Sequence, residues 1–291
     1  MKKALIQLHL SVFLAGFTGI LGKLISLPEM VLVWYRMLLT ALILGVLQIT
    51  RTGKPIRLQP KEVFQLLGIG SLIALHWVCF YGSIKLANVS VGLVCFAAVG
   101  VFTSMTEPLM THKPFSWPEL LLGTLSLFGI YLIFHFDSRF RTGILLGILS
   151  ALLAAVFSVL NKRIVNLAAA QRIMQYEMSG GLFLLTVLMP FYLHATPGAL
   201  IFPSLPDWCW LLVLSGLCTV IAMELMLQSL RKLSAFTQTL TLNLEPVYGI
   251  VLAFFLFHEN RELNRYFYIG FACIGISVLW QMYRVVRYKR L

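Results

Sequence analysis

Residues 10–23 read LSVFLAGFTGILGK, and residues 149–162 read LSALLAAVFSVLNK. At an offset of 139, Leu10-Ser11 meets Leu149-Ser150, Leu14-Ala15 meets Leu153-Ala154, and Leu21 and Lys23 meet Leu160 and Lys162. Each stretch lies within an apolar run long enough to cross a bilayer as a helix. Small residues recur every fourth position, as Ser11, Ala15 and Gly19 and again as Ser150, Ala154 and Ser158. That spacing gives each helix a small face on which another backbone can approach closely in lipid. The likeness continues in order along the chain. At 141, Tyr35-Arg36-Met37 meets Tyr176-Glu177-Met178; at 147, Lys85-Leu86 meets Lys232-Leu233, and Gly123 meets Gly270. The matches argue for duplication.

Composition sets the solvent. Of 291 residues, 59% are hydrophobic and 12% charged, and the mean hydropathy is +0.87. Soluble domains carry about 25% charged residues, so a soluble surface is excluded. Charged or Pro-containing breaks divide the chain into ten predicted spans, at 4–25, 30–50, 63–84, 88–110, 117–136, 142–162, 173–194, 208–229, 235–257 and 265–285. The repeat unit is then five spans, an odd number, so the second copy enters the membrane upside down. The expected fold is all-α and integral to the membrane, with ten transmembrane helices in two inverted repeats, residues 1–137 and 141–291. The longest breaks, 51–62 and 195–207, leave no room for a soluble domain. Met1-Lys2-Lys3 imitates the start of a signal peptide, but the apolar run continues to Ile25 without a cleavage motif and is read as an uncleaved first helix.

The net charge of +12 does not indicate nucleic acid, because the basic residues sit between apolar runs rather than on one face. With the N-terminus inside, 16 Lys and Arg fall on the cytoplasmic side and 6 outside, with Arg36 alone within a span. The positive-inside rule then places both termini in the cytoplasm of a cell carrying this chain in its inner membrane. Cys79, Cys95, Cys209, Cys218 and Cys273 have no CxxC spacing and read as small apolar residues.

The junction Ser83-Ile84-Lys85-Leu86-Ala87 with Ser90, and its counterpart Leu230-Arg231-Lys232-Leu233-Ser234-Ala235, resemble the third-to-fourth helix junction of EamA repeats. Residues 242–248, LNLEPVY, closing later with His258-Glu259, are similar to the second copy of that family, which belongs to the drug/metabolite transporter superfamily. The first copy departs from it, with Thr111-His112-Lys113 where the second has Phe257-His258-Glu259. The resemblance implies ten helices and the export or exchange of small solutes such as amino acids and metabolites.

Ionisable groups inside spans are costly and need a reason. Arg36, Glu107, Glu177 and Glu224 lie about 8–10 Å along their helices from the nearest charged end, hence off-centre, and are read as gating or structural charges. Glu245 lies about 20 Å from Lys232 and about 21 Å from Glu259, at the midplane, where it needs a partner, a proton or a water-filled cavity. Pro246 follows it and interrupts the helix. Gln238, Thr241 and Tyr248 share its predicted face, and Asn243 adds an amide nearby. His76, Trp77 and Tyr81 offer an aromatic, hydrogen-bonding wall at similar depth. Glu245, Asn243, Gln238, Thr241, Tyr248, His76, Trp77 and Tyr81 are therefore the expected substrate-binding set, and Glu245 either recognises a cationic group, cycles a proton or is structural.

These features point to a secondary transporter working by alternating access around a site between helices 3, 4, 8 and 9. Its partners are a small-molecule substrate and the lipid bilayer, with protons a candidate coupling ion, as monomer or homodimer. An integral-membrane enzyme using buried Glu and His is the alternative. It is disfavoured because no HExxH, His cluster or nucleophile–base spacing is present. No metal or cofactor is expected, since the six histidines are scattered.

Overall fold

Inside a bilayer a backbone must satisfy its own polar groups, so each apolar run closes into a helix. A computed structural model describes residues 2–49, 58–112, 117–136, 138–233, 238, 241–242 and 244–288. Among them no strand occurs. The first half forms α1 (Lys2–Leu24), α2 (Glu29–Ile49), α3 (Pro60–Leu86), α4 (Val89–Phe96), α5 (Val99–Thr111) and α6 (Trp117–Phe136). The second forms α7 (Arg141–Ile164), α8 (Ala170–Ala195), α9 (Leu205–Ser215), α10 (Ala222–Leu230), α11 (Leu244–Phe257) and α12 (Arg265–Tyr288). α4 and α5 share one apolar stretch, Val89–Thr111. α9 and α10 are joined by a π-helical turn, Gly216–Ile221. Among the described residues seven helical stretches are long and apolar enough to cross a membrane, and Leu244–Phe257 is a shorter apolar one.

Local sequence sets several of the ends. Ser204 caps α9 reciprocally with Asp207: the Asp207 amide donates to Ser204 Oγ at 3.3 Å, and the Ser204 amide donates to Asp207 Oδ2 at 3.0 Å. Asn88 caps α4 by accepting from the Val91 amide at 2.8 Å. His112 and His258 both adopt positive φ, 56° and 54°, just past the ends of α5 and α11. Left-handed backbone is uncommon outside glycine, and the two histidines are the residues that correspond between Thr111-His112-Lys113 and Phe257-His258-Glu259.

α3 packs along α7 and α8, and α1 along α10 and α11. α2 meets α8 and α9, α4 meets α7 and α11, and α6 pairs with α12. Small residues permit the tightest of these approaches. A Cβ on Gly70 would stand 1.8 Å from the Glu177 carbonyl oxygen, and one on Gly180 would stand 2.2 Å from that of Leu67. The backbones of α3 and α8 are therefore in direct contact. Phe64, Phe183, Phe191 and Phe255 are exposed on the outside of the bundle, as a lipid-facing surface requires.

The two ends of the bundle are bonded differently. At one end Glu259, fully buried, accepts from Lys23 Nζ at 2.8 Å, the Val89 and Ser90 amides at 3.0 and 2.8 Å, and Ser90 Oγ at 2.6 Å. Asp207 there accepts from the Ser26 amide and hydroxyl at 2.7 and 2.6 Å, and Lys85 donates to the Ile25 carbonyl at 2.9 Å. At the other end Lys162 donates to the Leu230 and Leu233 carbonyls, each at 2.7 Å, and Arg231 donates to that of Ala168 at 2.6 Å. Every one of these bonds joins segments that the charge pattern assigns to the same side of the membrane.

Candidate functional site

The small faces of α1 and α7 cannot fill the space between the helices they face. What remains is a cavity bordered by both halves of the chain. α1 contributes Ala15 and Thr18, and α7 contributes Ala154, Phe157 and Ser158. α3 supplies the adjacent His76 and Trp77 and, about a turn further on, Phe80, and Phe96 of α4 joins them. Cys218 of the π turn, Met223 and Met226 of α10, Leu242 and Glu245 also border it. Helices 3, 4, 8 and 9, expected to build the site, all contribute to it, and helices 1, 2 and 6 contribute as well.

Arg36 is the charged centre of one wall. It is buried, its Nε donates to Thr219 Oγ1 at 2.9 Å, and one terminal nitrogen donates to Tyr81 Oη at 2.8 Å. The guanidinium stacks on the Trp77 ring at 3.6 Å from its centroid, a geometry that stabilises a cation removed from water. The π turn makes this possible, because it sets Thr219 to donate back to the Leu214 carbonyl, five residues earlier, at 2.8 Å while accepting from Arg36. A guanidinium has five N–H donors, and these bonds engage only part of the fork. Reckoned by depth along its own helix, Arg36 belonged off-centre with the gating charges. It lines the cavity, where Thr219, Tyr81 and Trp77 hold its guanidinium.

Glu245, in the first turn of α11, borders the same cavity and is 5% exposed. Thr18 Oγ1 approaches its Oε1 at 3.4 Å while also bonding the Ala15 carbonyl at 2.7 Å. The cavity thus presents a cation and a carboxyl on different elements. An aromatic wall lines the same cavity: the His76 ring lies 5.4 Å from those of both Phe96 and Phe157 and 6.2 Å from that of Phe80, centroid to centroid. Nδ1 of His76 sits 2.9 Å from Ser150, which ties the ring to α7.

Of the predicted binding residues, Glu245, His76 and Trp77 line the cavity, and Tyr81 stands behind Arg36, holding it. Gln238 and Thr241 are buried but are not part of the lining. Tyr248 faces α1 instead, edge-on to Phe13 at 5.7 Å and against Gly16. Asn243 lies outside the described residues. Of the predicted gating charges, Glu224 is bridged by Gln171 at 2.9 Å and Gln228 at 3.1 Å. Glu107 is buried beside Pro108 in α5, away from the cavity. Glu177 is fully buried on α8. The reading of the sequence missed Phe80, Phe96, Phe157, Ser158 and the two methionines. The spacing of Phe80 from His76, and of Ser158 on the small face of α7, was the available signal.

The chain matches the sequence profile of the EamA-like transporter family twice, over residues 2–135 and 141–281. The uncharacterized transporter YxxF of Bacillus subtilis (strain 168) is 27% identical over 258 residues, covering 86% of this chain and 80% of that protein. An uncharacterized transporter of Archaeoglobus fulgidus is 25% identical over 232 residues, covering 79% and 78%. A crystal structure superposes with a TM-score of 0.67 at 13% identity over 95% of this chain and 96% of its own. That likeness concerns the fold alone.

Proposed function

The chain belongs to the EamA-like transporter family and is a multi-pass membrane transporter; from that premise we propose that it is a secondary exporter or exchanger of small zwitterionic metabolites, such as amino acids. The observation that carries this reading is that Arg36 and Glu245 line one cavity. A substrate carboxylate placed at the unengaged donors of Arg36 completes a fork-to-carboxylate contact, and an ammonium group meets Glu245. The aromatic wall and the two methionines then accept an apolar side chain.

Alternating access follows from two inverted repeats, 1–137 and 141–291, rocking around the cavity. Several features support ten helices in that arrangement. The principal packing pairs exchange under the repeat, α3 with α7 and α8 corresponding to α9–α10 with α1 and α2. The left-handed histidines recur at corresponding positions, and the end-to-end bonds respect the predicted sidedness. We further place both termini in the cytoplasm and the chain in the inner membrane, on the strength of the charge bias.

A thermal-shift panel on purified protein tests the substrate class. Amino acids are expected to raise Tm, whereas their amides, which lack the carboxylate, and their N-acetyl forms, which lack the ammonium group, leave it unchanged. Equal stabilisation by all three classes contradicts the reading. A membrane enzyme acting through buried Glu and His gains nothing from this arrangement. Glu245 and His76 border the same cavity, but the His76 ring is held against Ser150.

A further inference from the structure

The face of α7 that lines the cavity does not stop at its floor. Ser158 borders the cavity, and Asn161 follows one turn further along, about 4.5 Å away by helical rise. Beside Asn161 lies the carboxyl of Glu177, from α8. All three are buried, at 1%, 4% and 0% exposure. The Ser158 hydroxyl, the Asn161 carbonyl oxygen and both Glu177 oxygens lack a well-formed hydrogen bond among the described residues, although the Asn161 side chain approaches the carboxyl. Buried polar groups are nearly always partnered, and three adjacent exceptions that begin at a cavity call for a function.

Among the described residues no other charge answers Glu177. α3 presents Gly70 and Leu67 to this stretch of α8, and α2 presents Met37, which packs against Gly181. α7 presents Asn161, which does not titrate. α10 offers Glu224, but to Gln171, six residues before Glu177. Arg172 is turned toward Gln48 of α2 at 3.5 Å. A bare carboxylate in such a place is far costlier than a neutral acid.

We propose that Glu177 is a proton-binding site on a branch of the cavity, reached through Ser158 and Asn161. The inference rests on the reading of the cavity as the transport route. A proton carried by cavity water forms an O–H bond to a Glu177 oxygen, leaving a neutral acid and a water; release reverses the step. Asn161 suits both forms, because its amide carries a donor for the carboxylate and an acceptor for the acid. Glu177 occupies the position in α8 that Arg36 occupies in α2. One repeat therefore holds a fixed charge for substrate, and the other holds a removable one.

Infrared spectroscopy of the purified full-length protein reads this without any ligand. At neutral pH the wild type is expected to show a protonated-carboxyl C=O band that Glu177→Gln removes and Glu245→Gln retains. On transfer to D2O the band shifts promptly in the wild type and several-fold more slowly in Ser158→Ala and Asn161→Ala. A band untouched by Glu177→Gln, or one that exchanges as fast in both relay variants as in the wild type, overturns the proposal. If Glu177→Gln does not fold, Glu177→Asp serves, since it must move the band without abolishing it; an unmoved band counts against the assignment. The amino-acid thermal shift is read separately. Its absence in the wild type sinks the substrate reading while leaving the infrared result standing.

Discussion

Arg36 shows how far a residue's role depends on what its neighbours do with it. The guanidinium has a stacking partner in Trp77, an acceptor in Tyr81 and another in Thr219. Lysine can replace the charge but neither the stacking plane nor the fork. We expect Arg36→Lys to weaken amino-acid binding at least about tenfold by calorimetry, roughly the 1.4 kcal/mol that one lost cation–π or charged hydrogen bond supplies. Gly22 is the second point of dependence, because a Cβ there would stand 2.3 Å from the Tyr81 ring. That ring is anchored through its hydroxyl to Arg36 and cannot swing away freely. Gly22→Ala should lower stability by about 1–3 kcal/mol, seen as a drop in Tm. The sequence made Glu245 legible, since its distance from both helix ends and the proline after it mark a buried carboxyl at mid-depth. Arg36 was not legible in the same way. Depth along a helix says nothing of the direction a long side chain takes, and Thr219 and Tyr81 lie 183 and 45 residues away.

Among the elements, α4 and the α11–α12 turn are joined through one buried carboxylate, Glu259. Glu259 answers two amides at the start of α4, the Ser90 hydroxyl and Lys23 of α1. Removing it orphans a buried cluster of donors rather than one bond. Glu259→Ala is therefore expected to cost about 3–5 kcal/mol in thermal or denaturant unfolding. Ser90→Ala, which leaves the amides bonded, should cost about 1 kcal/mol. Since this bond set closes one end of the bundle, loosening it also favours access from that end. A cysteine placed at Ala15 should then react faster with a membrane-impermeant thiol reagent in Glu259→Ala than in its parent. Most helix spans could be read from hydropathy and from the charges between runs. The break at Ala97–Ala98 and the π turn Gly216–Ile221 could not, because neither carries a proline and their composition matches the helices around them. The π turn answers a tertiary demand, the placement of Thr219 against Arg36.

At the scale of the molecule, the duplication gives symmetry to the scaffold and asymmetry to the chemistry. Arg36 and Glu177 are the same position in two copies, yet one is a stacked, bonded cation and the other a buried carboxyl beside the neutral Asn161 side chain. The matched offsets in the sequence announced the scaffold. They could not announce the cavity, whose lining draws residues from seven of the apolar runs and joins Thr18 to Glu245 across 227 positions. The central claim is that this cavity, with Arg36 and Glu245 as its opposed charges, is the place where substrate binds and is carried. Counterflow in proteoliposomes preloaded with an unlabelled amino acid, chosen by its thermal shift, tests that claim most directly. The wild type should accumulate the labelled form transiently, while Arg36→Ala and Glu245→Gln, reconstituted to equal amounts and folded by size-exclusion chromatography, should show none. Undiminished counterflow in both variants would contradict the account.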